Sequence, residues 1–258
     1  MEPIVLFLLY SALLIIVSMV AAYLPLVGKL KDERAHMMIA LSAGIFFGLL
    51  IFMLLPEGLE ECEEGGIDTH YAMFILAAGF IIILIMEILL RQHHVDSCGC
   101  HSDAHGHKLV SISSFIGLSI HAACDGLALA ALYLTGAEVG LMATIGLCIH
   151  KFVELFSLST TMVLSELEKK KALIRLGVFA LITPVAGLLF FLLFSDMEVE
   201  GMLGIPLVFA SGTLLYVTMC DMLPESFHRE EHDLKGLALV LLGIGIMLAV
   251  ALLFPHAH

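Results

Sequence analysis

Eight apolar runs of about 20 residues follow one another along the chain, separated by short polar connections. A hydrocarbon core about 30 Å thick needs roughly this length of α-helix to cross it. The period-two alternation of a barrel strand is absent, and inside lipid only helices and closed barrels satisfy their own backbone. The pattern therefore predicts an all-α polytopic membrane protein with eight transmembrane helices, numbered here as spans 1 to 8: 4–24, 35–56, 71–90, 109–134, 139–164, 172–194, 202–224 and 237–254.

Composition and charge favour the same class of protein. Hydrophobic residues make up 60% of the 258, more than a soluble domain of this length can bury. The formal net charge of −13 and the lack of a basic patch exclude nucleic acid as a partner. All 12 Lys and Arg residues except Lys151 lie in or beside the connections after spans 1, 3, 5 and 7. The positive-inside rule therefore predicts that both termini lie outside.

Spans 2 and 7 carry a related pattern. Gly44 follows a small residue and precedes a Leu-Pro-Glu ending at Glu57, and Gly212 follows Ser211 and precedes the same ending at Glu225 with the same separation. Because these spans run in opposite directions, the pattern predicts a 3+2+3 inverted repeat around spans 4 and 5, which is a transporter architecture. The alternative is that Leu-Pro-Glu simply ends membrane helices at an interface.

Ionisable residues within the spans mark the candidate site, since a charged side chain at the bilayer centre costs roughly 2.5–3.5 kcal/mol. Span 4 carries His121 and Asp125, and span 5 carries His150, Lys151 and Glu154. In each span a histidine and an acid four residues apart share one helix face. At a rise of 1.5 Å per residue both histidines lie near the midplane. The connection between the two spans is short, which makes them antiparallel neighbours.

Four ligands therefore converge from two helices, namely His121, Asp125, His150 and Glu154. Two imidazoles and two carboxylates suit a borderline ion such as Zn²⁺, and the set could also accept Fe²⁺, Mn²⁺ or Cd²⁺. The alternative is a structural cluster of hydrogen-bonded side chains. Small residues and hydroxyls continue the same faces as a polar seam, which could receive an ion as it sheds water or could simply pack the helices. The hydroxyl residues of this seam are Ser114, Ser157 and Thr161.

These motifs resemble those of the ZIP family (SLC39-like) of divalent metal transporters. The segment from His121 to Gly126 is similar to the family's His-x-x-x-Asp-Gly motif. The segment from His150 to Glu154 stands where the family has a His-Glu-x-x-ligand motif. The Leu-Pro-Glu endings and the His-rich connection after span 3 are also similar, so the resemblance covers essentially the whole chain. The His-Lys pair and the ending of span 7 resemble the ZIP9-like branch of the family.

The resemblance implies a secondary transporter rather than an enzyme. Such a protein takes Zn²⁺ or related ions toward the cytoplasm by alternating access, with spans 1, 4, 5 and 6 moving against spans 2, 3, 7 and 8. It also implies a homodimer in the cell (plasma) membrane, with a divalent ion as substrate and no organic cofactor.

The chain departs from the family pattern at two positions of a binuclear centre. Many members have an amide where this chain has Ala122 and an acid where it has Lys151. One ligand of a second metal is thus missing and another is replaced by an ammonium group, which could keep Glu154 or Asp125 ionised. We therefore expect a single metal ion in the core site. The alternative is a Lys151–Glu154 pair that silences transport.

The chain divides into four predicted regions: spans 1–3 (residues 1–91), a cytoplasmic connection (92–108), spans 4 and 5 with the metal site (109–165), and spans 6–8 (166–258). The connection is rich in His and Cys, which are common zinc ligands. It could accept or sense the delivered ion, or it could be a solvated linker with incidental affinity. Its candidate ligands are His93, His94, Cys98, Cys100, His101, His105 and His107.

Two other functions stay open at this point. An intramembrane zinc-dependent hydrolase needs three ligands and a metal-bound water, but the sequence has no His-Glu-x-x-His motif, and four candidate ligands leave no open position. A metal-gated sensor would bind the ion and respond with a change of conformation. A Gly-rich phosphate-binding loop is absent, which disfavours ATP as the driving force.

Overall fold

A computed structural model describes residues 3–27, 32–95, 103–135, 137–164, 167–194, 204–227 and 233–253. These residues are helical apart from short turns. The helices are α1 (Pro3–Val27), α2 (Asp32–Leu49), α3 (Leu55–Glu64), α4 (Thr69–Val95), α5 (Asp103–Thr135), α6 (Ala137–Leu164), α7 (Lys169–Phe194), α8 (Gly204–Tyr216), α9 (Leu223–Ser226) and α10 (Asp233–Leu253), with π-helical turns at Leu50–Leu54 and Val217–Met222.

Each predicted span coincides with a helix. The π-helical turn at Leu50–Leu54 joins α2 to α3, and the one at Val217–Met222 joins α8 to α9, so spans 2 and 7 are each one continuous helix with a wide turn. Six helical segments are long and apolar enough to cross a membrane, and a shorter apolar segment lies in α5. The all-helical, multi-pass prediction is therefore confirmed. The six are Ile4–Val27, His36–Glu64, Thr69–Leu89, Lys169–Leu193, Gly204–Met222 and Leu234–Leu252, and the shorter one is Phe115–Ala130.

Several helices extend beyond the apolar runs that predicted them. The helix of span 2 continues to Glu64, and α4 and α5 extend into the segment 92–108 that was predicted as a connection. Once a helix has formed, each further residue adds one backbone hydrogen bond without a new nucleation cost. The end of an apolar run therefore need not end the helix.

The most extensive contacts divide the helices into two groups. One, the site-bearing group, consists of α1, α5, α6 and α7, because α1 packs on α6 and α5 packs on both α6 and α7. The other, the companion group, contains α2 packed on α10, and α4 and α3 packed on α8. Contacts of α5 with α8 and of α2 with α6 hold the two groups together. The outer faces of α1, α4 and α10 carry exposed apolar side chains, as expected for surfaces in contact with lipid.

Two glycines allow the helices of the companion group to approach very closely. A Cβ atom at Gly44 would lie 2.1 Å from the carbonyl oxygen of Val240, so α2 meets the backbone of α10 directly. A Cβ atom at Gly212 would lie 2.0 Å from the carbonyl oxygen of Leu76, which brings α8 against α4 in the same way. Small residues at such crossings are the usual means of close packing between membrane helices.

Candidate metal-binding site

The candidate site lies between α5 and α6, which are consecutive and in contact. One ligand atom from each of His121, Asp125 and Glu154 lies within 4.8 Å of the other two. His121 and Glu154 are fully buried and Asp125 is 6% exposed. Ligands of one zinc ion, each about 2 Å from the metal, lie at most about 4 Å apart. Small side-chain movements would therefore bring these three groups to bonding distance of a single ion.

The side chain of His150 lies outside the described residues. Its backbone belongs to α6, four residues before Glu154. A residue at this spacing shares a helix face with Glu154. His150 therefore stays the predicted fourth ligand, on sequence grounds alone.

Lys151 lies between the two carboxylates of the site. Its Nζ atom is 2.8 Å from Oδ2 of Asp125 and also donates to Oε2 of Glu154. The same ammonium group lies 5.7 Å from the ring centroid of Phe179 on α7, an arrangement that favours a cation through the negative face of the ring. Lys151 is 2% exposed, so it makes these three contacts away from water.

The ring of His121 is oriented by a residue of α8. Its Nδ1 atom lies 3.3 Å from the carbonyl oxygen of Ala210, and its Nε2 atom lies 3.5 Å from Oδ1 of Asp125. A carbonyl oxygen can only accept, so we assign the proton of the neutral ring to Nδ1. This leaves the lone pair on Nε2, the atom that faces the other ligands. Metal-binding histidines are commonly held by such a partner.

The helix α7 supports the α5 side of the site. The hydroxyl of Thr183 donates to the carbonyl oxygen of Ala122 at 2.9 Å, and Ala122 itself is fully buried. A Cβ atom at Gly126 would lie 2.2 Å from the carbonyl oxygen of Thr183, so the backbones of α5 and α7 approach closely beside Asp125. Ala122 therefore lies where α5 packs against α7.

The predicted polar seam is only partly within the described side chains. The hydroxyl of Ser157 points to the sulfur of Met222 at 3.9 Å, and that of Thr161 donates to the carbonyl oxygen of Leu158 in its own helix at 2.9 Å. Both residues are buried. The side chain of Ser114 lies outside the described residues. So do those of the His- and Cys-rich connection, namely His93, His94, Cys98, Cys100, His101, His105 and His107.

Sequence reasoning missed three contributors to the site. Phe179, Thr183 and Ala210 come from α7 and α8, and they contact the site through a ring face, a hydroxyl and a backbone carbonyl. None of these groups is ionisable, and none shares a short spacing with the ligands. Only an apolar span interrupted by Thr183 and Pro184 gave any signal at these positions.

A second buried polar group lies in the companion group, away from these ligands in the sequence. The hydroxyl of Tyr216 donates to Glu87 of α4, and its ring packs edge-on against Phe80. Asp221, in the π-helical turn that follows Tyr216, is buried as well. Buried carboxylates are retained when hydrogen bonds satisfy them.

Comparison with known proteins identifies the family. The family model described as ZIP Zinc transporter matches residues 91–251. The chain is 26% identical to Zinc transporter ZIP9 of Micropogonias undulatus, with 97% of both chains covered. It is 25% identical to Zinc transporter ZIP1 of Danio rerio, with 82% of this chain and 83% of that protein covered. A helical membrane protein with buried His, Asp and Glu side chains on consecutive helices, matched over most of its length by these relatives, belongs to the ZIP zinc transporter family.

Proposed function

We propose that the protein is a secondary carrier that moves Zn²⁺ or a related divalent ion toward the cytoplasm by alternating access. The ion would bind to His121, Asp125, His150 and Glu154. The observation that carries the proposal is the convergence of His121, Asp125 and Glu154 in the buried contact between α5 and α6. Relatives named as zinc transporters make zinc the first ion to test, and the ligand types would also accept Fe²⁺, Mn²⁺ or Cd²⁺.

The site would hold one ion, with Lys151 in place of a second. Two carboxylates give the empty site a formal charge of −2, and the ammonium group offsets one unit through its contacts with Asp125 and Glu154. Ala122 offers no ligand atom, and Thr183 already binds its carbonyl oxygen. A dication therefore still gains from binding, whereas a second one would meet the ammonium group.

The two helix groups support an alternating-access mechanism in which the site-bearing group moves against the companion group. The proposed ligands belong to α5 and α6, and the most extensive helix contacts all lie within one group or the other. The orientation with both termini outside follows from the positive-inside rule. With α5 and α6 as further crossings, the six spans become eight.

An inverted 3+2+3 repeat accounts for several matched features. The repeat would exchange spans 1–3 with spans 6–8, and span 4 with span 5. Under this exchange the contact between α1 and α6 corresponds to the contact between α7 and α5, and the contact between α2 and α10 corresponds to that between α8 and α4. The two contacts of each corresponding pair are similar in extent. The close glycine contacts at Gly44 and Gly212 exchange in the same way. Both wide turns precede a Leu-Pro-Glu sequence. These correspondences support the repeat.

Other parts of the proposal rest on the family resemblance and the sequence. They are the homodimer, the cell membrane as the location, the seam as a route for the ion, and the connection after α4 as a cytoplasmic acceptor. The rival functions predict different behaviour: a hydrolase or a sensor would bind zinc without carrying it across a membrane.

Uptake of radioactive zinc into liposomes containing the purified protein tests the proposal. We expect Glu154→Gln and His121→Ala to lower uptake at least about tenfold, since even residues that only support metal ligands contribute that much to affinity. The matched control is Glu168→Gln, which changes an exposed acid paired with Lys171 just beyond α6. Wild-type liposomes without zinc uptake would refute the carrier, whereas uptake by both variants at the wild-type rate would refute the assignment of the ion-binding site.

A further inference from the structure

Every contact described above for the Lys151 ammonium group is made by the site-bearing group. Asp125 lies on α5, Glu154 on α6 and Phe179 on α7. In the proposed carrier these helices move together, so the ammonium group would travel with the ion-binding carboxylates. Its charge is then part of the charge that crosses the membrane field in each half of the transport cycle.

The charge of the site can be counted in both states. With His121 and His150 both neutral, as metal ligands must be, the two carboxylates and Lys151 give the empty site a formal charge of −1, and a bound dication raises it to +1. With a neutral residue at position 151 the two values would be −2 and 0. The buried carboxylates Glu87 and Asp221 belong to the companion group, so they add the same charge to both states.

The charge at position 151 strongly affects the cost of moving the empty site through the membrane, because the free-energy cost of placing charge in a low-dielectric medium grows with the square of the charge. Charges of −1 and +1 have equal costs, whereas −2 costs about four times as much as either. We propose that Lys151 is an internal counter-ion that divides the transported charge equally between the loaded and the empty carrier. The inference rests on the proposed function, and it assigns the ammonium group to the return of the empty carrier.

The wild type and a variant with a neutral residue at position 151 should respond differently to a membrane potential. Each cycle moves two positive charges inward in either case, because the net result is the transport of one dication. In the wild type one charge would move with the loaded step and one with the return of the empty site. In Lys151→Met the loaded site is neutral, so the whole effect of voltage falls on the return.

Two zinc fluxes in liposomes separate these steps. Net uptake into zinc-free liposomes requires the empty carrier to return, whereas exchange of labelled for unlabelled zinc at equal concentrations does not. We expect Lys151→Met to lower net uptake at least about tenfold while exchange stays within about threefold of the wild type. A potassium diffusion potential should change exchange in the wild type and leave it unchanged in the variant.

The matched control is Lys171→Met, which removes an exposed lysine paired with Glu168. Its net uptake and exchange should equal those of the wild type. The double variant Asp125→Asn with Lys151→Met restores the charges of −1 and +1, and an amide oxygen can still bind metal. Its ratio of net uptake to exchange should return toward the wild-type value. Because its net buried charge equals that of the wild type, it also carries the test if Lys151→Met does not fold.

Several outcomes would overturn the inference. An unchanged ratio of net uptake to exchange in Lys151→Met would show that the ammonium group is not needed for the return step. Loss of both fluxes in folded Lys151→Met would assign the group to ion binding instead. A double variant whose ratio stays low would show that the net charge of the site does not determine the rate of the return step. If the wild type shows neither flux, the carrier itself is refuted, which distinguishes that failure from the failure of the counter-ion.

Discussion

The Nδ1 atom of His121 lies 3.3 Å from the backbone carbonyl oxygen of Ala210. The contact joins α5 of the site-bearing group to α8 of the companion group. It holds Nε2 toward Asp125, so the orientation of this proposed ligand depends on the relative position of the two groups. A displacement of one group along the other would remove the acceptor and allow the ring to turn. In the proposed carrier, this hydrogen bond would link ion affinity to conformation.

Replacing His150 tests the fourth ligand. We expect His150→Ala to raise the zinc concentration for half-maximal uptake at least about tenfold, because the site would lose one of its two nitrogen ligands. The measurement is the concentration dependence of zinc uptake into liposomes. His70→Ala is the control, since His70 is exposed at the start of α4. An unchanged concentration dependence would show that His150 is not a ligand, so that any fourth ligand beside His121, Asp125 and Glu154 comes from another residue.

The close glycine contacts should be sensitive to a single methyl group. Gly44→Ala and Gly212→Ala would each place a Cβ atom against a backbone carbonyl, and such overpacking costs about 1–3 kcal/mol. Thermal unfolding in detergent should therefore show both variants destabilised. Gly177→Ala and Gly245→Ala are matched controls, because a Cβ atom at either position meets no atom within 4 Å. Wild-type stability in the first pair would contradict the close approach of these helices.

The hydrogen bond from Thr183 to the carbonyl oxygen of Ala122 should contribute modestly to stability. Thr183→Val keeps the shape of the side chain but removes the donor. Hydrogen bonds between membrane helices are worth about 0.6 kcal/mol on average and up to about 1.7 kcal/mol, so we expect a loss in that range by thermal unfolding. Thr160→Val is the control, since that hydroxyl donates to Phe156 in its own helix. Equal losses of stability in the two variants would show that the hydrogen bond between α7 and α5 contributes no more than one within a single helix.

Removing the hydroxyl of Tyr216 should affect stability more than transport. Tyr216→Phe keeps the ring contact with Phe80 but removes a donor to the buried carboxylate of Glu87. Loss of one partner of a buried polar group costs about 1–3 kcal/mol, whereas the proposed zinc ligands are untouched. Thermal unfolding and zinc uptake measure the two effects. Tyr71→Phe, at an exposed tyrosine of α4, should change neither; a transport defect in Tyr216→Phe would place Glu87 in the ion pathway.

The membrane helices could be predicted because their signal is local. A run of 20 apolar residues specifies a helix wherever its neighbours lie, and the spacing of His121 and Asp125 specifies one face of that helix. Antiparallel neighbours then bring Glu154 close, which the structure places within the same cluster. The ion pairs of Lys151 follow from the same argument, since Asp125 and Glu154 are the nearest opposite charges.

Lateral packing could not be predicted in the same way. Which helix lies beside α5 depends on close approaches such as that of Gly126 to Thr183, between residues far apart in the sequence. A backbone carbonyl such as that of Ala210 is present at every helix position, and Phe179 is one of 16 phenylalanines in the chain, so neither group carries a distinctive pattern. The wide turns also have no shared signature, because the first contains only apolar residues whereas the second includes Thr218 and Asp221.

The wide turns before Leu-Pro-Glu have a consequence for the register of the helices that follow. In each, a backbone N–H bonds to the carbonyl five residues earlier, as Leu55 does to Leu50 and Leu223 to Thr218. Such a turn contains one residue more than an α-helical turn. Deleting one residue there would restore ordinary helix and leave the helix faces beyond it close to their present orientation, because the wide turn already accommodates the extra residue. A deletion within the α-helical part of the same span would instead rotate everything beyond it by about 100°. The membrane crossing would survive either deletion, but only the second would turn a different side of α3 or α9 toward its neighbours.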